Sequence, residues 1–331
     1  MSGPDLSVII PTCNRRGILL KTLAAYEVQT ARSEILEVLV LDDGSNDGTL
    51  EAVADFSRHA RIPVRYFRLA HRGPAAMRNY GIQEARGSLV LFGDDDIVPS
   101  PDLVAEHLAW HKRFPQPFVG VLGLVEWAPE VKPTPFMQWL GKDGILFNFR
   151  HLEAGQDAGF RCFYSCNLSL KTQFLRENGT FDEDFKTAAF EDTELGFRLE
   201  QRGLRLLYNP SAVGYHHKFI SFSDACRRAR AVAEAGSVFM TKAAGRYLAE
   251  VEASRQRRLG LRVKRRISNL MRPFFGILRP VLDTHIRLPR HVYRGVYYHF
   301  AALPADCDAR HGEAVKETRR EPGVPAPRRG L

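Results

Sequence analysis

The sequence has few cysteines and no long hydrophobic run, and each absence excludes a class of protein. Its five cysteines are scattered and odd in number, which excludes a disulfide scaffold. Cys162 and Cys166 lie close together, but the sequence holds no second pair to complete a zinc site. The apolar runs, such as residues 89–92, are far shorter than the roughly 18 to 20 residues that span a bilayer. No basic start precedes an apolar signal core, so we expect a cytoplasmic protein with reduced, buried thiols.

Positive charge is concentrated in the C-terminal quarter. From Arg255 onward there are 18 Lys and Arg against 6 Asp and Glu, a net charge of +12, whereas residues 1–254 carry −3. Residues 255–300 interleave these cations with apolar and aromatic side chains, which is typical of a basic amphipathic helix at an anionic membrane surface. A helical extension packed on the main domain is the alternative, and nucleic acid is a less favoured partner.

Short β-branched runs alternate with helix-like stretches over residues 6–125. This alternation predicts an α/β fold with a Rossmann-like, mostly parallel sheet that is covered on both faces. In such sheets, ligands bind beyond the carboxyl ends of the strands. Polar side chains follow three of the predicted strands, at residues 11–14, 42–45 and 93–96.

The remaining sequence divides into further segments. Residues 129–159, rich in Pro and aromatic side chains, are interpreted as an excursion over the surface. A strand at 163–170, a helix from near Asp192 and strands at 204–208 and 213–217 follow. We therefore predict a catalytic domain over 1–220, a helical, basic amphipathic extension over 221–304 and a disordered tail over 305–331.

Three consecutive aspartates follow an apolar strand, and neighbouring carboxylates repel one another unless a cation lies among them. Oxygen ligands of this kind favour Mg²⁺ or Mn²⁺, which coordinate one or two carboxylates together with substrate phosphates. Asp94, Asp95 and Asp96 are therefore candidates for binding a metal and phosphates. A solvated acidic turn is the alternative.

Four other groups carry candidate chemistry. Asp43 ends a strand and can accept from a base or ribose, or it can stabilise a turn. Arg78 places a cation where a diphosphate would lie. Glu191 and Asp192 stand at a helix start, where a carboxylate is favoured by the dipole and also caps the backbone. The pair at residues 216–217 offers a histidine ligand or a surface pair.

The series of motifs resembles the family 2 inverting glycosyltransferases, which have the type A nucleotide-diphospho-sugar transferase fold. The resemblance covers roughly residues 5–220, and its specificity comes from the order and spacing of the motifs. They lie at residues 8–15 (VIIPTCNR), 41–49 (LDDGSNDGT), 76–82 (AMRNYGI), 92–96 (FGDDD), 179–183 (GTFDE) and 190–199 (FEDTELGFRL).

The resemblance implies a role for each matching residue. Pro11 and Thr12 would line the nucleotide pocket, and Asp43 would contact the base. Asp94 would lie near the ribose, Asp95 or Asp96 would hold the metal, and Arg78 would lie near the phosphates. Asp192, in its pair with Glu191, would be the general base, and His216 would complete the metal or diphosphate site, with His217 as its competitor. Cys13 and the acidic middle residue of the triplet depart from the pattern of many relatives.

These observations predict a metal-dependent inverting glycosyltransferase with a UDP-, GDP- or dTDP-linked sugar donor and Mg²⁺ or Mn²⁺ as cofactor. The resemblance suggests a glycan or lipid-linked acceptor, in cell-surface polysaccharide or glycolipid assembly. The basic C-terminal segment suggests peripheral contact with the inner face of the membrane. A non-catalytic sugar-nucleotide or nucleic-acid binding module is the alternative. A phosphatase of the haloacid-dehalogenase type would need an aspartate nucleophile after the first strand, and residues 11–14 contain none.

Overall fold

The predicted alternation of strand and helix is present in the structure, a computed structural model that describes residues 5–142, 146–147, 149–259 and 278–301. The strands of this part of the chain are β1 (Leu6–Thr12), β2 (Ile35–Asp42), β3 (Val64–Arg68), β4 (Leu89–Gly93), β5 (Ile97–Pro99), β6 (Val119–Trp127), β7 (Asn167–Lys171) and β8 (Arg205–His216). Its helices are α1 (Arg16–Glu27), α2 (Thr49–His59), α3 (Pro74–Glu84), α4 (Leu103–Arg113), α5 (Pro135–Lys142), α6 (Thr172–Asn178), α7 (Glu191–Glu200), α8 (Phe222–Thr241), α9 (Ala243–Leu259) and α10 (Arg290–Ala301).

All eight strands belong to one sheet, in the order β3-β2-β1-β4-β7-β6-β8-β5. Strands β1 to β4 pair in parallel, and so do β6 and β8. β7 is antiparallel to both β4 and β6, and β5 is antiparallel to β8. Six strands therefore run in one direction, which confirms the mostly parallel α/β fold. The carboxyl ends of β1, β2, β4, β6 and β8 consequently meet at one edge of the sheet.

The sheet is buried on both faces because its central strands are apolar throughout. Along β1, Val8 and Ile10 pack into the core on the side of α1 and α2, while Ile9 packs on the opposite side with α3. Helix α3 lies very close to β1 at Gly81, where a Cβ atom would stand 2.6 Å from Cγ2 of Ile9. This close packing holds α3, and with it Arg78, against the carboxyl edge of the sheet.

Some predicted boundaries are wrong. The strand predicted at 163–170 begins only at Asn167 and ends at Lys171. The two strands predicted at 204–208 and 213–217 are one strand, β8, whose register against β6 shifts after Gly123. The predicted surface excursion at 129–159 contains α5, whose Phe136 and Trp139 are buried against the C-terminal helices.

The C-terminal extension packs on the main domain through an aromatic cluster. Phe222 of α8 and Tyr293, Tyr297 and Phe300 of α10 are buried together with the aromatic side chains of α5. The three α10 side chains are therefore packed within the protein, which agrees with the alternative of a helical extension packed on the main domain. Within the described residues, no helix has both the length and the apolar character needed to cross a bilayer. Residues 260–277 of the predicted basic segment and the predicted tail, at 305–331, lie outside the described residues.

Candidate active site

The polar residues predicted at the strand ends meet at the carboxyl edge of the sheet. Thr12 ends β1, and its hydroxyl donates a hydrogen bond of 2.8 Å to Oδ2 of Asp95, which follows β4. Beside them is a cavity of about 200 Å³. It is lined by Pro11, Thr12, Cys13, Arg15, Asp43, Pro74, Met77, Arg78, Asp94, Asp95 and Ala188. The wall of this one cavity therefore holds the residues predicted to bind the nucleotide and its phosphates: Pro11, Thr12, Asp43, Arg78, Asp94 and Asp95.

Asp43 is held in place by the start of α3. Its carboxylate accepts hydrogen bonds from the backbone N–H groups of Arg72, at 2.7 Å, and Gly73, at 3.1 Å. Gly73 has a φ of +90°, and a Cβ atom there would stand 2.5 Å from the carbonyl oxygen of Lys186. A glycine is thus required for this turn, and Pro74 at the first helical position starts α3 immediately after it. The role predicted for Asp43, contact with the base, stays a prediction.

Arg78 connects the aspartate triplet to the Glu-Asp pair. Its guanidinium is buried and donates to Asp94 at 2.8 Å and to Glu191 at 3.3 Å. Burial would lower the pKa of Arg78, but the negative charges of Asp94, Asp192 and Glu191 outweigh it and raise the pKa above its usual value. Arg78 therefore stays charged between the two acidic groups.

Asp95 and Asp96 are buried, and both are bonded to Arg15, a cation to which the sequence assigned no role. Arg15 donates to Oδ1 of Asp95 at 2.6 Å, and its second terminal nitrogen donates to Oδ2 of Asp96. Burial raises the pKa of Asp95 to about 7, although the charge of Arg15 opposes this. Burial would also raise the pKa of Asp96, but the hydrogen bonds and charges of His216 and Arg15 outweigh it and hold the pKa below its usual range.

The structure distinguishes between the two histidines at the end of β8. Nε2 of His216 lies 3.4 Å from Oδ2 of Asp96, and the imidazole stacks on Trp127 with a centroid separation of 5.1 Å. His217 instead faces away from the triplet, with its Nε2 atom 2.6 Å from Nζ of Lys21. Only His216 is therefore placed beside the carboxylate predicted to bind the metal.

The residues present fit a divalent metal that is only partly held by protein. Two neighbouring ligands about 2.1 Å from an octahedral ion lie about 3 Å apart, close to the separation between Asp96 and His216. Nδ1 of His216 is buried and has no hydrogen-bond partner. No group of three His, Cys, Asp or Glu side chains capable of caging a metal occurs in the described ranges. The remaining ligands of a bound ion would have to come from substrate phosphates and water.

Asp192 lies in the first turn of α7, and a residue with a positive φ directly precedes this helix. Phe190, just before the helix, has a φ of +67°, and its ring stacks on Phe239 with a centroid separation of 4.7 Å. The Asp192 carboxylate accepts hydrogen bonds from the backbone N–H of Ser165, at 2.9 Å, and from its hydroxyl, at 2.6 Å. Sequence reasoning missed Ser165, because its position was predicted as part of an ordinary strand.

The acid pair is strongly perturbed by burial. Burial and then the charge of Asp192 raise the pKa of Glu191 well above its usual range. Burial also raises the pKa of Asp192, but Arg78 and both Ser165 donors oppose this and favour the carboxylate. Of the two, Asp192 is thus the residue whose carboxylate receives two additional donors, both from Ser165.

Both acidic groups open into a second cavity of about 500 Å³. Its lining includes Asp94 and Asp96 of the triplet, Glu191 and Asp192 of α7, and His216 of β8. It shares Arg15, Arg78, Asp94 and Ala188 with the smaller cavity. The two cavities therefore form a continuous site in which the predicted nucleotide, metal and base residues come together.

A buried hydrogen-bond chain runs along β7 on the side of α4. Lys171 donates to Nδ1 of His111 at 2.9 Å, and Nε2 of His111 donates to Ser169 at 2.8 Å. Ser169 bonds Nδ1 of His107 at 2.8 Å, and Nε2 of His107 bonds Oδ1 of Asn167 at 2.9 Å. The Asn167 amide group then donates to one carbonyl of β6 and one of β8, beside the register shift. These hydrogen bonds thus support the end of β8 that carries His216.

Comparison with known proteins shows which family the N-terminal part of the chain resembles. Residues 7–152 match the model of glycosyl transferase family 2. The chain is 31% identical over 233 residues to validoxylamine A glucosyltransferase of Streptomyces hygroscopicus subsp. jinggangensis strain 5008, a match that spans 64% of the chain and 55% of that relative. It is 30% identical over 258 residues to an uncharacterized glycosyltransferase of Bacillus subtilis strain 168, spanning 64% of each.

A solved structure shows the same fold. The mannosyltransferase PcManGT from Pyrobaculum calidifontis, in complex with GDP-Man and Mn²⁺, superimposes with a TM-score of 0.54 over 97% of this chain and 82% of its own, at 18% identity. At that identity the likeness concerns the fold alone. The matched motifs, the relatives and the fold agree with the resemblance seen in the sequence. The chain is thus similar to the family 2 glycosyltransferases over residues 7–152, and it has the type A fold.

Proposed function

We propose that this protein is an inverting glycosyltransferase that moves a sugar from a nucleotide-diphospho-sugar to an acceptor hydroxyl. The observation that carries the proposal is the shared cavity, into which Asp192 opens together with Asp96 and His216. Inversion needs a base on the acceptor side of the anomeric carbon and positive charge on the diphosphate side. The family relationship and the GDP-Man complex of the structural neighbour support a donor of this class.

In this reaction Asp192 takes the proton of the acceptor hydroxyl as its oxygen attacks the anomeric carbon. The bond between that carbon and the diphosphate oxygen breaks, and its electron pair stays on the nucleoside diphosphate. Ser165 orients the Asp192 carboxylate through its two hydrogen bonds. The buried guanidinium of Arg78 keeps positive charge between Asp94 and Glu191 throughout.

We assign the metal site to Asp96 and His216, with Asp95 beside them. A bound Mg²⁺ or Mn²⁺ would stabilise the negative charge that develops on the leaving diphosphate. The Mn²⁺ complex of the structural neighbour supports a divalent ion of this kind. Pro11, Thr12, Asp43 and Asp94 line the adjoining cavity, where we place the nucleoside.

We further propose a glycan or lipid-linked acceptor, in the assembly of a cell-surface polysaccharide or glycolipid on the cytoplasmic side of the membrane. The positive charge that begins at Arg255 supports peripheral contact with anionic lipid. Co-sedimentation of the intact chain with anionic vesicles at low salt, and release at high salt, is the expected behaviour. Equal sedimentation with neutral vesicles would contradict this part of the proposal.

The test of the activity is release of nucleoside diphosphate from a panel of UDP-, GDP- and dTDP-sugars with Mg²⁺ or Mn²⁺. We expect metal-dependent release from one donor, reduced about a hundredfold or more in Asp192→Asn, because a positioned base contributes at least that factor. Asp96→Ala should lose the metal dependence together with the activity. Asp55→Asn, which changes an exposed aspartate on α2, is the matched control.

The same panel separates the enzyme from the alternative. Donor-dependent thermal stabilisation without turnover, in the presence of a range of glycan acceptors, would support a sugar-nucleotide binding module. Neither release nor stabilisation with any donor would contradict the proposed function.

A further inference from the structure

Arg15 lies between two buried aspartates, Asp95 and Asp96, whose negative charge a metal ion could also offset. It directly precedes α1, and its side chain is 33% exposed, whereas those of Asp95 and Asp96 are 4% and 7% exposed. Two buried carboxylates this close require a cation, and the guanidinium provides one through a hydrogen bond to each. Arg15 therefore supplies one positive charge to this pair of aspartates from within the protein.

Arg15 and the proposed metal use the same oxygen atom. Oδ2 of Asp96 accepts from Nη2 of Arg15 and also lies 3.4 Å from Nε2 of His216. The guanidinium and the imidazole thus occupy the directions in which this oxygen can bond. A metal ion held between Asp96 and His216 would place a second positive charge beside the guanidinium on that oxygen and repel it.

A displaced Arg15 has an anion to bind nearby. Arg15 lines both the smaller cavity, where we place the nucleoside, and the larger cavity, where the diphosphate would meet the metal. Its partial exposure means that the guanidinium can turn away from the aspartates without opening the core. Planar guanidinium groups bind phosphate oxygens in the same two-pronged manner as carboxylates.

We propose that Arg15 is a built-in counter-ion that the metal displaces and the donor diphosphate then captures, so that metal and donor bind cooperatively. This inference rests on the proposed function. Without a diphosphate, the metal must break both bonds between Arg15 and the aspartates. With a diphosphate present, Arg15 exchanges carboxylate for phosphate oxygens, and the metal binds more tightly. By linkage, the metal must increase the affinity for the diphosphate by the same factor.

The experiment measures Mn²⁺ binding directly, by the loss of the free Mn²⁺ signal in electron paramagnetic resonance, with and without UDP, GDP or dTDP. In the unmodified protein we expect weak binding of Mn²⁺ alone and much tighter binding with the nucleoside diphosphate. Arg15→Gln should bind Mn²⁺ alone about tenfold more tightly, because a competing hydrogen bond to a charged group is removed. Its gain on adding the nucleoside diphosphate should shrink correspondingly. Mildly alkaline buffer keeps the aspartates ionised in the variant.

Two further variants control the comparison. Arg16→Gln changes the adjacent, exposed arginine, whose side chain lies against Gly48, and should behave as the unmodified protein. Arg15→Lys keeps the charge without the two-pronged geometry and should fall between the two. It also serves as the test if Arg15→Gln, judged by its melting transition, does not fold.

The outcomes separate this inference from the proposed function. Unchanged or weaker binding of Mn²⁺ alone by both folded Arg15 variants would overturn the role of Arg15 and leave the transferase standing. Absence of Mn²⁺ binding by the unmodified protein, even with every nucleoside diphosphate, would overturn the proposed metal site and the inference with it.

Discussion

Removal of the Ser165 hydroxyl is expected to shift the pH dependence of the proposed transfer reaction. The hydroxyl donates to the Asp192 carboxylate at 2.6 Å, and such a bond favours the ionised form. Burial already raises the pKa of Asp192. Ser165→Ala removes an opposing contribution, so the pKa rises further. The base then stays protonated to a higher pH, and the acid limb of kcat/KM moves upward.

The size of the shift follows from the geometry. A hydrogen bond to a charged group contributes about 1.5 to 3 kcal/mol, and one pH unit corresponds to about 1.4 kcal/mol. Ser165 is 0% exposed, so water does not readily replace its hydroxyl. Its backbone N–H still donates to Asp192 at 2.9 Å in the variant. We therefore expect the lower end of the range, an upward shift of about one pH unit.

The assay is the pH profile of kcat/KM for nucleoside diphosphate release, which reports the ionisation of the free enzyme. Ser165→Thr retains the hydroxyl and should restore the original profile. Ser57→Ala removes a hydroxyl on α2 that donates only within its helix, and it serves as the control. An acid limb that stays in place while activity falls, or one that moves to lower pH, would refute the reasoning.

Two further predictions concern the histidines. His216→Ala should raise the Mn²⁺ concentration needed for half-maximal activity about tenfold or more. The ring of His217 faces Lys21, so His217→Ala should leave that concentration nearly unchanged. Equal effects of both variants would argue against His216 as the ligand. His107→Leu should lower the free energy of unfolding by about 2 kcal/mol near neutral pH, because Oδ1 of Asn167 loses its donor. Burial lowers the pKa of His107 to about 4, so its contribution to stability is fully present above about pH 6.5 and is lost as the pH falls towards 4. Urea unfolding across that range should therefore show a shallower decline in the variant, and an unchanged slope would show that His107 does not titrate as inferred.

Local patterns in the sequence were sufficient to predict the class of the fold and the edge of the sheet that carries the site. The alternation of short apolar strands with helices specifies a mostly parallel sheet, because each strand must be covered on both faces. The polar residues after β1, β2 and β4 then had to meet at one edge. The sequence alone could therefore place Thr12, Asp43 and the aspartate triplet together at this edge of the sheet.

Contacts between distant segments were decided by the tertiary structure. The residues themselves left His216 and His217 open, and the preference for His216 rested on the resemblance. Adjacent residues of a strand point to opposite faces, and only the neighbours of β8 show which face holds Asp96. The burial of Tyr293, Tyr297 and Phe300 likewise depends on α5, more than a hundred residues earlier in the chain.

Arg15 and Ser165 show the same limit within the site itself. Arg15 stands inside one of the recognised motifs, but its importance depends on carboxylates 80 and 81 residues away. Ser165 lies 27 residues before the carboxylate to which it donates. Residue type and local spacing determined which side chains could perform the chemistry. The packing of β1, β4, β7 and α7 decided which of them meet, because hydrogen bonds and ion pairs depend on distance in space and not along the chain.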